Sequence, residues 1–392
     1  MKRSSLRLSL IFLLLVLILL MLPGCTVDNS KDTEIPVTTE FARMLGFLPY
    51  SFLEEHDIWF DNWAKAKQLY GLEDIKSIEA VKSLPEDRLE SFRVLSPKLT
   101  GNRWRSLELA PVVGFDIMMV DRMVFTDIIP PRSFSLSEGD FDEELIGSKL
   151  TGLGYTKMEY GARTYYGTGE DYKVRLENEL FRMVSNGMNC LAVFDNTIMA
   201  APASKYVTGM FDARDGNVPS INDNAACRAL ADSLGDVLTA VMMIPERILI
   251  TDLRARGIPK FDFTVPDDWG LLHQFDMAAL GYRDDGEKGF MVIALYYQDE
   301  SAAKADGAMI IKRMETYTLG TSLPRMEKRP FTEKYIPGEP VIKRYPGGAV
   351  LTIACQLIPE ERQYVSMDIG AAGMGLRDLL FLAPDPALYV AE

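Results

Sequence analysis

Apolar positions along this chain switch repeatedly between a period of two and a period of three to four, and the switches mark out short elements. Arg122 to Ile128 and Ser133 to Phe141 read as strands, joined across Ile129-Pro130-Pro131-Arg132, where proline forbids ladder pairing. Asp142 then caps a helix with Glu143 and Glu144 in its first turn, where negative charge suits the helix dipole. Leu145, Ile146, Leu150 and Leu153 form its apolar stripe, Gly154 stops it, and a strand returns from Tyr155 to Tyr166. Strand, strand, helix, strand predicts a sheet covered on one face by helices. A second unit follows. Cys190 to Phe194 and Thr197 to Ala201 flank Asp195-Asn196, a pair suited to a two-residue turn at positive φ. Ser204 caps a helix with Tyr206, Val207, Met210 and Phe211 on one face. Ser220 and Asp223 have capping-box spacing, ahead of a helix that carries Ala226, Leu230 and Leu234 inward and ends at Gly235. Val237 to Ile244 is an apolar strand.

The flanks are read the same way. His56, Trp59, Phe60, Trp63, Lys67 and Tyr70 recur at three- and four-residue steps and predict one helical face. Leu271 to Tyr282 and Phe290 to Tyr297 predict a hairpin through Asp284-Asp285-Gly286. A helix from Asp299 to Tyr317 carries Ala303, Gly307, Ile310, Met314 and Tyr317 on a packed seam. Five prolines between Leu323 and Pro346 predict a long irregular loop. Val350 to Leu357 is a strand and Met374 to Phe381 a short helix. The sum is an α+β chain of two sheet-plus-helix domains, residues 41–253 and 269–392, each an antiparallel sheet covered by helices. A Gly- and Pro-containing linker, 254–268, separates them.

The first residues carry an address. Lys2, Arg3 and Arg7 precede the apolar run Leu10 to Leu22, the pattern of a secretory signal. The run is short of the ~20 apolar residues that a membrane-spanning helix needs. Leu22-Pro23-Gly24-Cys25 resembles the lipobox of bacterial lipoproteins. That resemblance implies a diacylglyceryl group on the Cys25 sulfur, removal of residues 1–24, and attachment to a membrane on its extracytoplasmic side. Residues 25–40 are then a polar tether; an uncleaved signal anchor is the alternative. The layout of residues 41–317, including the Asp195-Asn196-Thr197 hairpin, is similar to uncharacterised α+β lipoproteins of bacterial envelopes. This second resemblance brings no catalytic residues with it.

A formal charge of −14 argues against nucleic acid or anionic headgroups bound through a broad basic face. Besides Cys25 there are Cys190, Cys227 and Cys355, read as core thiols, with one disulfide as the alternative; Cys355 shares a strand face with Leu351, Ile353 and Leu357. No Cys-x-x-Cys or His-Glu-x-x-His occurs, so neither a metal nor a cofactor is expected. His56 and His273 lack a Gly-x-Ser-x-Gly partner and read as structural, with His273 in an apolar strand. Gly370 to Gly375 lacks the Lys-Ser/Thr of a phosphate loop. Asp212 to Asn217 lacks the closing acid of a calcium loop. Glu170-Asp171 and Asp284-Asp285 are carboxylate pairs that a glycosidase could use.

Two groups remain as binding candidates. Tyr155, Tyr160, Tyr165, Tyr166 and Tyr172 could contact sugar or protein, or simply pack a strand face. Arg325, Lys328, Arg329 and Lys334, with Lys343 and Arg344, could meet an acidic envelope polymer or protein, or belong to a solvated connection. The reading is a binding or scaffolding module at the cell surface or periplasm, with an envelope hydrolase (glycosidase-like or esterase-like) as the alternative. Its anchor is testable alone. Cys25→Ser should move the protein out of the detergent phase or leave it unprocessed. Mass spectrometry that finds an unmodified Cys25 in the mature, membrane-bound protein overturns the anchor.

Overall fold

Six of the nine helices among the described residues begin on a side-chain cap. A computed structural model describes residues 39–85, 109–126, 134–173, 180, 187–245, 272–319 and 329–359. α1 (Glu40–Leu45) starts on Thr39, whose hydroxyl accepts from the Ala42 N–H at 3.2 Å. α2 (Ser51–Glu55) leads to β1 (Ile58–Asn62). Asn62 closes β1 and also caps α3 (Trp63–Leu69), accepting from the Lys65 N–H at 3.1 Å, so strand passes into helix with no loop. α4 (Ile78–Lys82) and α5 (Leu109–Val113) precede β2 (Val120–Phe125) and β3 (Ser135–Gly139). α6 (Glu143–Gly152) begins at Asp142, which accepts from the Leu145 N–H at 2.9 Å. β4 (Thr156–Tyr160) and β5 (Arg163–Gly167) form a hairpin, as do β6 (Cys190–Phe194) and β7 (Thr197–Ala201). The second turns on Asp195 at φ 47° and Asn196 at φ 59°, both positive as a type I′ turn requires.

α7 (Ser204–Arg214) and α8 (Ala225–Leu234) follow, then β8 (Thr239–Met243), β9 (Met277–Asp284) and β10 (Gly289–Tyr297). The Ser204 hydroxyl does not cap α7 but donates to Asp171 at 3.1 Å. Ser220 and Asp223 do form a capping box, on a short 3-10 turn, and Asn224 caps α8. α9 (Glu300–Thr316), capped by Asp299, precedes β11 (Thr318–Leu319), β12 (Arg329–Pro330), β13 (Tyr335–Pro337), β14 (Val341–Tyr345) and β15 (Gly348–Leu357).

Among the described residues thirteen strands make one sheet, ordered β13-β15-β10-β9-β8-β1-β2-β3-β7-β6-β5-β4, with β14 beside β13 on the outer edge of β15. Every pairing is antiparallel. β11 and β12 pair separately. Met291, Ile293, Leu295 and Tyr297 of β10 join Leu351, Ile353 and Cys355 of β15 in a core completed by Ala303, Ile310 and Met314 of α9. The alternate residues Val292, Ala294 and Tyr296 are buried too, because α8 packs on the opposite face. Gly281 lets the end of α8 lie against β9: a Cβ there would meet Val237 Cγ1 at 2.8 Å and Leu234 Cδ1 at 3.2 Å. A second core gathers Val113, Val120, Phe141, Ile146, Leu150, Leu191 and Ile198 beneath α5 and α6.

The α+β class stands as expected, with several corrections inside it. Helices cover both faces of β10, not one. β8 and β9, on either side of residues 254–268, pair from Thr239↔Tyr282 to Met243↔Ala278, so one sheet runs through both expected domains. The residues of that expected linker lie outside the described set. His56 to Tyr70 is a strand followed by a helix. Residues 155–166 form most of a hairpin, not one strand. Leu145 is exposed while Ile146 and Leu150 are buried. Residues 329–346 contain three strands where a loop was expected. Met374 to Phe381, Gly370 to Gly375, Cys25 and the leader lie outside the described residues.

Cys190, Cys227 and Cys355 are buried and unbonded to one another. Burial pushes the thiols of Cys190 and Cys355 up to about 12, and that of Cys227 higher still. All three should therefore escape alkylation in the folded protein at neutral pH and react once it is denatured. Rapid native labelling of Cys227 or Cys355, read by peptide mass spectrometry, would contradict the packing of α8 and β15.

Candidate functional site

The two groups of side chains singled out from the sequence do not converge. The tyrosines lie around β4 and β5, while Arg329 and Lys334 lie by β12 and β13, toward the opposite end of the sheet. Tyr155 is buried and donates to the Met188 carbonyl at 2.6 Å. Tyr165 is buried, and its burial raises the phenol pKa. Tyr166 is half-buried, with its hydroxyl close to Gly147 of α6. Tyr160 is exposed, donates to Asp212 at 2.8 Å and stacks on Phe211. Successive residues of a strand face opposite sides, so Tyr165 and Tyr166 cannot share one surface.

The basic stretch fares differently. Arg325 and Lys328 lie outside the described residues. Arg329 is half-buried, and Lys334 is only 4% exposed, with its ammonium 5.6 Å from the Tyr335 ring centre. Lys334 therefore cannot serve as an exposed contact for an acidic partner. Lys343 faces Asp232 at 3.6 Å, and Arg344 is ion-paired with Glu300.

A cleft of about 760 Å³ opens elsewhere, lined by Lys65, Gln68 and Leu69 of α3, by Asp236, and by Arg283, Asp284, Asp285 and Phe290 of the β9–β10 hairpin. The one-loopless start of α3 decides which side it offers. Trp63, Ala66 and Lys67 turn into the core, and residues 65, 68 and 69 share the other face. Burial lowers the Lys67 pKa to about 8, and its ammonium donates to the carbonyls of Met118 and Val120 at 2.5 and 3.0 Å, which ties α3 to the start of β2. On the cleft side the Lys65 ammonium donates to the Asp236 carbonyl at 2.8 Å and to its carboxylate at 2.5 Å.

The far wall is the hairpin tip. Asp284 accepts from the Tyr282 hydroxyl at 2.7 Å and from the Gly286 N–H at 2.8 Å. Asp285 accepts from the N–H groups of Glu287 and Lys288 at 2.9 and 2.6 Å, which shapes the turn. Both members of this pair thus hold the hairpin turn. Arg283 and Phe290 are direct cross-strand partners, and the guanidinium sits 5.2 Å from the ring centre. None of the ion pairs among the described residues uses Arg283.

A second polar cluster surrounds Asp306 of α9, which is fully buried. Its carboxylate accepts from the His273 N–H and the Tyr297 hydroxyl, each at 2.8 Å, and lies 2.7 Å from His273 Nδ1. His273 is exposed and not part of an apolar strand, contrary to expectation. Arg313, buried on the same helix, interacts electrostatically with Asp306, and burial lowers its pKa to about 10. His56 is buried edge-on to Phe134 and Tyr206. Among the described residues, no three His, Cys, Asp or Glu side chains group as metal ligands would.

Comparison with known proteins adds little to this geometry. No family model matches the chain, and no curated protein does. Among solved structures it is similar to crystal form I of TP0453, with a TM-score of 0.35 and 8% identity, over 83% of this chain and 96% of that one. Crystal form III of TP0453 gives a TM-score of 0.33 and 10% identity, over 83% and 97%. At those values the likeness carries no argument about what this chain does.

Proposed function

We propose that the chain is an exported binding protein, tethered through lipid on Cys25, that holds a small anionic ligand in the cleft between α3 and the β9–β10 hairpin. One observation carries the reading. The Arg283 guanidinium lies over the Phe290 ring at the cleft wall and takes part in no ion pair among the described residues. The acids beside it are already engaged: Asp236 with Lys65, and Asp284 and Asp285 with the turn. A guanidinium presents a planar fork of donors that fits a carboxylate or phosphate edge to edge. The cleft volume falls within the ~300–1,000 Å³ of small-molecule sites. Gln68, exposed on α3, adds an amide that can orient a polar ligand.

Hydrolysis is favoured by one feature, the His273 imidazole oriented by buried Asp306. A nucleophile is missing from that pair. Among the described residues no hydroxyl or thiol is bonded to His273, and Ser301 donates to Asp299 instead. Binding is therefore the better-supported function.

Calorimetric titration of the detergent-solubilised protein with inorganic phosphate, citrate and a hexose phosphate tests the reading. At least one probe should bind, and Arg283→Gln should weaken it about tenfold or more, the worth of a hydrogen bond to a charged group. Arg344→Gln, which removes a remote surface cation, should leave the affinity unchanged. Equal affinity in the Arg283→Gln variant, or no binding of any probe, would sink the assignment.

A further inference from the structure

β4 ends the sheet. Its ladder with β5 runs from Thr156↔Gly167 to Tyr160↔Arg163, and Gly161-Ala162 closes the hairpin. Gly161 has φ +58°, as the first central residue of a type II′ turn needs. In such a turn the flanking residues, Tyr160 and Arg163, bond to each other, and bonded pairs then alternate along an antiparallel ladder. Thr156, Met158 and Tyr160 therefore spend their backbone groups on β5. Lys157 and Glu159 turn theirs toward the open side. All five residues of β4 are exposed, and among the described residues no strand pairs with that side.

Open edges invite pairing with another chain, and a lone lysine is a common block against it. Here the lysine comes with a glutamate two residues on, and Thr-Lys-Met-Glu-Tyr is complementary to itself. When two copies run antiparallel about Met158, Lys157 falls opposite Glu159 of the second copy, and Glu159 opposite its Lys157. These are also the residues with free backbone groups, so each such pair exchanges two N–H···O bonds. Met158 meets Met158 on the other face, and Tyr160 meets Thr156. A two-fold axis at residue 157 would instead oppose lysine to lysine, and one at residue 159 glutamate to glutamate. Backbone polarity admits an axis at any of these three residues, and charge selects the one at Met158.

We infer that β4 is a homodimerisation edge, through which a second copy of this chain extends the sheet about a two-fold axis at Met158. Met158 and Tyr160 are 37% and 38% exposed, and they are the large apolar side chains of the strand that such pairing covers. Five residues of edge bury far less than the ~1,200 Å² of a stable interface, so the dimer is transient and calls for covalent trapping.

Met158→Cys in the intact chain provides the trap. Residues opposed in a non-hydrogen-bonded pair lie ~4.5 Å apart at Cα, within disulfide range. Cys190, Cys227 and Cys355 are buried and do not compete. Mild oxidation followed by non-reducing electrophoresis should show a dimer well above the level of the parent chain. Adding Lys157→Glu or Glu159→Lys should suppress it, and adding both together should restore it. Thermal melts of every variant, matched to the parent, show that the fold is kept. A dimer no more abundant than the parent's, a yield indifferent to single charge reversal, or failure of the double reversal to restore it would each overturn the inference. The last two outcomes would point to a foreign strand or a different edge.

Discussion

β10 depends on a condition that shapes the middle of the molecule: it has no open edge and no open face. β9 and β15 satisfy its backbone on either side, while α8 and α9 take its two faces. A strand covered in this way must be apolar throughout, which fits the run from Met291 to Tyr297. The covering helices then have to place their polar groups with care. α9 buries Asp306 and can do so because the His273 N–H and the Tyr297 hydroxyl donate to its carboxylate, with the His273 ring nitrogen in hydrogen-bond contact as well. The same condition leaves the hairpin tip as the place where β9 and β10 can carry polar residues. That tip, set against the outer face of α3, makes the cleft.

Much of this organisation could be read from the chain where local chemistry decides local structure. Asp195-Asn196 and Asp142 work within a few residues of themselves, and both are found where turn and cap rules put them. The seam Ala303, Gly307, Ile310, Met314 and Tyr317 is buried throughout because one helix carries the first four and Tyr317 caps its end. Failures come where burial erases the period. β1 is buried at all five positions and shows no alternation, and Asn62 serves as both strand end and helix cap. The two elements therefore imitate one amphipathic helix. Prolines misled in the opposite sense. Pro330 and Pro337 end short strands, where a missing N–H costs little, so their density did not exclude a sheet edge.

The cleft was the hardest feature to foresee. Arg283 and Phe290 meet only through the register of a hairpin, and Lys65 faces them only because α3 begins at Trp63. No residue type or spacing in the chain announces that meeting. The tyrosines illustrate the converse. Their clustering in sequence was plain, but a hairpin turn at Gly161 splits the group and the strand period then separates Tyr165 from Tyr166. The expected linker at 254–268 shows a related limit, since glycine and proline mark a connection without telling that the strands on either side, β8 and β9, pair with each other.

The place of β1 bears on how the chain reaches this state. It lies between β2 and β8, with Ile58 opposite Met242, so one of its ladders closes a gap of roughly 180 residues. Contacts at such separation pay their loop-closure entropy before any reward arrives, and chains rich in them fold slowly. During synthesis, β1 emerges long before β8 does. Until residue 243 is free, its apolar positions have no complete layer to enter, and the edge meant for β8 stays open to stray pairing. The order of strands in space thus sets a waiting time in the life of the nascent chain, one that a holding chaperone would have to cover.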